Sequence, residues 1–171
     1  MKKYDLQNGN IISESESIPV YGEYDVVVAG GGMAGVGAAL AAAKNGAKTI
    51  IIENTSALGG LVTMGIVNIP LDFVSGVGRE FFDRLAEMGV LRNTNSDPEK
   101  HKLLFDRMVK EYGVDVLLVT PIIDTIMDGN DVKGAIIHTK MGKKAVLGKT
   151  FVDATGDSDL VFFAVIPEQN P

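Results

Sequence analysis

Three glycines, Gly30, Gly32 and Gly35, stand in the spacing G-x-G-x-x-G between the apolar run "YDVVVAG" and an alanine-rich run. Each has a separate physical use. The first allows a sharp turn off a strand, the second lets a pyrophosphate approach the backbone where a Cβ would collide, and the third lets a helix sit close to the strand. A helix that starts there offers free N–H groups and partial positive charge to phosphates. The next apolar run, "AKTIII", stops at Glu53, 18 residues after Gly35. A carboxylate at that point accepts both hydroxyls of an adenosine ribose and repels a 2′-phosphate, which favours FAD or NAD over NADP. Gly30, Gly31, Gly32, Met33, Ala34 and Gly35, with Glu53 and Asn54, therefore form a candidate dinucleotide site. Without its setting the turn could equally be a packing device. The preceding strand, the following helix and the carboxylate make the binding reading the stronger one.

Other side chains carry less. The chain has no cysteine, which excludes disulfides, thiolate metal sites and a cysteine nucleophile, so redox chemistry would have to live on a bound cofactor. His101 lies among charges in a helical pattern and reads as a surface residue, and His138 reads as an exposed strand position. Two isolated histidines make neither a metal site nor a triad. Asp153, Asp157 and Asp159 lack the spacing of a calcium loop, so no metal is expected. Met64 and Met88 read as core filler. Arg79 and Asp72 flank an irregular stretch and have only position to recommend them.

The elements that must place these residues follow from periodicity. "YDVVVAG" and "AKTIIIE" are continuous apolar runs suited to strands buried on both faces. Residues 33–45 form a helix of small residues that ends at Asn45-Gly46. Together they make one βαβ unit, right-handed almost by rule. Residues 54–75 are apolar without a clean period, and such loops are often functional. "VGREFFDRLAEMG" predicts a helix burying Phe81, Phe82, Leu85 and Met88. "SDPEKHKLLFDRMVKEYG" predicts another, with Asp97 as N-cap, Pro98 in the first turn and Leu103, Leu104, Met108 and Val109 buried. The period then falls to two over "VDVLLVT", "IIDTIMDG", "VKGAIIHTK" and "KAVLGKTFVDATG", the last three an antiparallel meander. "TFVDATG" suits the carboxyl end of a parallel strand, where open α/β sheets bind ligands. Asp157 beyond it could also cap a helix.

At 171 residues, 46% hydrophobic and 22% charged, the composition is that of a globular domain. The 20 glycines follow no repeat, which removes collagen-like readings. A net charge of -6 argues against nucleic acid or anionic membrane as partner. No apolar run is long enough to span a bilayer, and the polar start does not read as a signal peptide, so a cytoplasmic protein is expected. Residues 1–22 read as an outer arm with one short strand, and 23–171 as the binding domain.

The stretches "VVVAGGGMAGVGAALAAAKNGAKTIIIE", "LGGLVTMGIVN", "GREFFDRLAEMG", "DPEKHKLLFDRMVKEYGVDVLL" and "TFVDATGDSDL" resemble the FAD-dependent oxidoreductases of the glutathione-reductase-like superfamily, in particular a bacterial group that joins a glycine turn to a "DATGDGD" element. The resemblance spans nearly all of residues 20–165. It implies an α/β, three-layer FAD/NAD(P)-binding Rossmann-like domain: a parallel sheet with helices on one face and an antiparallel β-meander on the other. It also implies that Gly59 and Gly60 run beside the pyrophosphate and ribityl chain. Ile122 or Ile123 would offer backbone to the adenine, and Thr155, Gly156 and Asp157 would lie where a returning strand meets the FAD. The function it implies is the FAD-binding portion of an oxidoreductase whose flavin takes a hydride equivalent from a small substrate. A non-catalytic dinucleotide-binding module and an NAD-dependent dehydrogenase domain are the rivals; the "LGG", the meander and "DATGD" speak against the second. Members of the group continue well beyond the position of Pro171, so the substrate domain is expected outside this chain. The apolar C-terminal edge would then favour self-association. Ser158 stands where the group usually has glycine.

Overall fold

The computed structural model describes residues 5–7, 9–12, 17–67, 75–90 and 97–165. Strand β3 (Ser17–Ala29), helix α1 (Met33–Lys44) and strand β4 (Thr49–Ile52) form the βαβ unit, with β3 and β4 parallel. Strand β5 (Asp115–Leu117) extends the parallel sheet beyond β4. β6 (Ile122–Asp128), β7 (Asp131–Thr139) and β8 (Gly142–Asp153) form the antiparallel meander. β8 belongs to both parts: its first residues pair with β7, and residues Ala145–Asp153 run parallel to β3. The arm carries more than one short strand. β1 (Asp5–Gln7) and β2 (Asn10–Ile12) form a hairpin on the start of β3, which continues unbroken through residue 22.

The side-chain alternation of β3 and β4 builds the three layers. Val28 and Ile51 point to the helical layer and pack with Val36, Leu40, Phe82, Phe105 and Met108. Val27, Ala29, Ile50 and Ile52 point the other way and meet Ala135 and Ile137 of β7 and Val146 of β8. Ile50, Ile51 and Ile52 are each at most 2% exposed. Burying three such side chains is worth roughly 5–9 kcal/mol, as much as the net stability of many domains, so β4 anchors the molecule.

Helix α2 (Gly76–Glu87) buries Phe81, Phe82 and Leu85 and ends before Gly89 at φ 75°. Helix α3 (Pro98–Glu111) starts at Asp97, whose side chain accepts the Glu99 N–H. Its buried stripe differs from the expected one. His101, Leu104, Phe105, Met108 and Val109 are inside, while Leu103 is 44% exposed. His101, expected at the surface, is 0% exposed because it sits one turn before Leu104 and Phe105 on the same face. Its ring lies 5.7 Å from that of Phe81, and Nδ1 is 3.0 Å from the Asp97 carbonyl oxygen. His138 is exposed, as the strand pattern implied. Between β4 and α2 the described residues make a short 3-10 turn, Gly60–Val62. Asp72 lies outside the described residues. Met64 is no core filler: it is 43% exposed, because the irregular stretch turns it outward. Helix α4 (Asp159–Val165) closes the described chain. Among the described residues no helix is long and apolar enough to cross a membrane.

Candidate functional site

The glycine turn joins β3 to α1. Gly30 has φ 89°, and a Cβ there would lie 2.6 Å from the Ala154 carbonyl oxygen. A Cβ on Gly35 would lie 1.9 Å from the carbonyl oxygen of Gly30, so the helix touches the turn. A Cβ on Gly31 would collide with Leu58 at 2.5 Å. Gly32 is different: nothing lies within 4 Å of its Cβ position, and its φ of -67° suits any residue. It is also the N-cap of α1, which has no side-chain cap and no acid in its first turn. The start of α1 thus directs free N–H groups and positive dipole into open space.

Glu53 closes β4 and is 7% exposed. Its Oε2 accepts the Gly31 N–H at 2.6 Å and its Oε1 accepts the Thr55 N–H at 2.6 Å. The carboxylate therefore ties the turn to the strand end and still has lone pairs free for ligand hydroxyls. A second glycine pair lies alongside the first. The Gly59 N–H donates to the Gly31 carbonyl at 2.7 Å, and Gly59 bridges to Gly32. Gly59 and Gly60 both have positive φ, 104° and 56°. A Cβ on Gly60 would come within 3.2 Å of the Gly32 Cα, so the two backbones are in near contact.

The third wall is the end of β8. The Ala154 N–H donates to Ala29, holding Thr155, Gly156 and Asp157 beside the turn. Asp157 does not cap α4. The Asp159 N–H donates to Thr155 Oγ1 and the Val161 N–H to Asp153 Oδ2, so those two side chains cap the helix. Asp153 Oδ1 also accepts the Thr155 N–H and hydroxyl.

These walls enclose a cleft of about 960 Å³, at the upper end for a small-molecule site. Gly30, Gly32, Met33, Ala34, Glu53, Asn54, Gly59, Gly60, Ile122, Thr155, Gly156 and Asp157 all line it. Three candidates do not. Gly31 lies behind Glu53 and Leu58, Gly35 lies behind Gly30, and Ile123 packs on the far face of the meander with Ile18, Ile126 and Ile136. Sequence reasoning missed Thr55, Thr120, Pro121, Leu61, Met64, Val67, Ala154, Asp159 and Phe163, which also line the cleft. Pro121 marked a break before the meander, and residues 61–67 fell in the stretch flagged as irregular; Phe163 left no signal. The ionisable side chains among the lining residues are Glu53, Asp157 and Asp159, all acidic. A pyrophosphate here would be met by backbone N–H groups and the α1 dipole rather than by lysine or arginine. The open Cβ direction of Gly32 and the uncapped helix fit that ligand. Among the described residues, no group of three or more His, Asp or Glu converges as a metal site.

Solved structures show the same fold. Thermovibrio ammonificans THI4 superposes with a TM-score of 0.62 at 24% identity, over 82% of this chain and 61% of that one. L-proline dehydrogenase from P. horikoshii gives 0.60 at 18%, over 87% and 57%. The 3-ketosteroid-delta4-(5alpha)-dehydrogenase of Rhodococcus jostii gives 0.59 at 17%, over 91% and 49%. The chain thus spans about half to three-fifths of the length of these structures. The family model of the FAD dependent oxidoreductases matches residues 25–169, nearly the whole chain. The chain belongs to the FAD dependent oxidoreductase family, and FAD is its cofactor.

Proposed function

We propose that this chain is the FAD-binding portion of an oxidoreductase of the glutathione-reductase-like type, acting on a small substrate. The observation that carries the reading is Gly32. It is the turn glycine whose missing side chain opens onto the cleft and not onto protein, at the start of an uncapped helix. Bound FAD supplies the redox chemistry, accepting a hydride equivalent from the substrate for delivery to an acceptor. The protein's share is to hold and orient. Backbone N–H groups at the start of α1 neutralise the pyrophosphate, and Glu53 receives the ribose hydroxyls. Gly59 and Gly60 run beside the pyrophosphate and ribityl chain, Ile122 borders the adenine, and Thr155, Gly156 and Asp157 lie where the returning strand meets the cofactor. The substrate wall belongs to a part of the protein outside this chain, a reading supported by the greater length of the related structures.

The test is an absorbance spectrum of the purified chain, followed by titration with FAD and with NAD. Flavin bands, or saturable binding of FAD without NAD, are expected; binding of NAD alone would overturn the reading. Bleaching of the flavin bands by a substrate separates an enzyme from a non-catalytic module. Self-association is part of the proposal. Val161, Phe162 and Val165 of α4 are each more than half exposed. Sedimentation should show a concentration-dependent oligomer that Phe162→Asp disperses.

A further inference from the structure

Val119 has φ 53°, a backbone conformation that a β-branched side chain adopts only under constraint. Its side chain does not provide the constraint, since Val119 is 61% exposed. The hydrogen bonds do. β4 and β5 are parallel with Ile52 opposite Leu117, and the ladder continues one step as the Glu53 N–H donates to the Leu117 carbonyl. In an unbroken parallel ladder the Val119 N–H would then donate to the Glu53 carbonyl. Instead it donates to the Thr55 carbonyl at 2.9 Å, and the Thr120 N–H takes the Glu53 carbonyl, also at 2.9 Å. One extra residue has been looped into the strand end, as in a bulge whose left-handed position is ordinarily glycine. The result is a clamp. Glu53 is held at both its N–H and its carbonyl, and Thr55 at its carbonyl. The N–H of that same Thr55 is one of the two donors to the Glu53 carboxylate. Thr120 is itself buried, and its hydroxyl closes the turn on the Leu118 carbonyl at 2.9 Å.

We propose that the Leu118–Val119–Thr120 turn is a positioning element for the Glu53 carboxylate, and that it sets how strongly the cleft distinguishes an adenosine ribose bearing its 2′-hydroxyl from one lacking it. Strain at an exposed valine persists because relaxing it would release Thr55 and let the carboxylate swing. Val119 acts through Glu53 and touches no ligand itself. The inference rests on the reading that Glu53 receives the ribose.

The test is calorimetric titration of the chain with ADP and with 2′-deoxy-ADP. In the unsubstituted chain, ADP should bind about tenfold or more tightly than the deoxy analogue, the range for a hydrogen bond to a charged acceptor. Val119→Gly adopts the same φ and keeps the N–H, so the ratio should persist. Val119→Pro forbids that φ and removes the N–H, so the ratio should fall toward one in a chain whose circular dichroism remains native. A folded Val119→Pro chain with the full ratio overturns the inference. Amide exchange covers the case in which Val119→Pro does not fold. At matched saturation, ADP should protect the Val119 and Thr120 N–H groups more than 2′-deoxy-ADP does, and equal protection overturns the inference. Failure of the unsubstituted chain to bind either nucleotide, or to prefer ADP, overturns the Glu53 reading itself, which is a separate result.

Discussion

At the scale of single residues, one residue type has two uses in the turn. Gly35 is glycine because its neighbour's carbonyl leaves no room, and Gly32 is glycine although the protein leaves all the room there is. Gly35→Ala should cost about 3 kcal/mol or more, since backbone cannot retreat from a contact of 1.9 Å. Gly32→Ala should leave the melting temperature unchanged or raise it by the equivalent of about 0.5 kcal/mol, as its φ suits alanine. It should nevertheless weaken FAD binding at least about tenfold, because the new methyl occupies ligand space. Thermal melts and FAD titrations of both variants check this, and equal affinity for Gly32→Ala and the unsubstituted chain would remove the basis of the proposed function. Ser158, at φ 58°, holds a conformation that glycine takes without penalty. Ser158→Gly should gain about 1 kcal/mol in denaturant unfolding.

At the scale of elements, α4 is fastened by a few polar side chains. One Asp153 oxygen holds Thr155 and the other holds Val161, so the carboxylate bridges the cleft wall and the helix. Asp153→Asn keeps one acceptor oxygen and presents an amide to the other donor. It should loosen α4 by about 1–3 kcal/mol, seen as faster amide exchange in residues 159–165 with exchange in β3 unchanged. Element types were legible because propensity, period and turn residues agreed, as in Asp97-Pro98 opening α3 and Asn45-Gly46 closing α1. What was not legible depended on neighbours distant in sequence. His101 reads as polar until the rings of α2 are placed beside it, and Met64 reads as apolar filler until the stretch after β4 turns it toward the cleft. The glycine turn and Glu53 could be found from spacing. Thr120 and Phe163 could not, because they reach the cleft through strand order and a helix crossing that no local pattern encodes.

At the scale of the whole molecule, the helical layer is joined by a charged network: Glu80 receives Lys44, Arg84 and Tyr112, and Arg84 also binds Glu111. Burial pushes the Glu80 carboxyl up, but Lys44, Tyr112 and Arg84 outweigh it and hold the group below its ordinary value of 4.5. Its contribution is therefore present above pH 4.5 and lost as pH falls through the lower folded value. Melting temperatures between pH 3 and 6 should show this slope, reduced in Glu80→Gln. The shared strand β8 has a consequence for how the protein is made. β3 meets β4 soon after it is synthesised, but Ala29 finds Asp153 only 124 residues later. At about 5–20 residues per second on the ribosome, one edge of β3 waits roughly 6–25 s for its partner. During that interval the glycine turn exists without Ala154 against it, and an unpaired apolar strand edge is open to other nascent chains. The grip on the cofactor comes last within this unit, once β8 has emerged and laid Ala154 against the turn, so loading with FAD is coupled to the closing of the sheet rather than to its first folded unit.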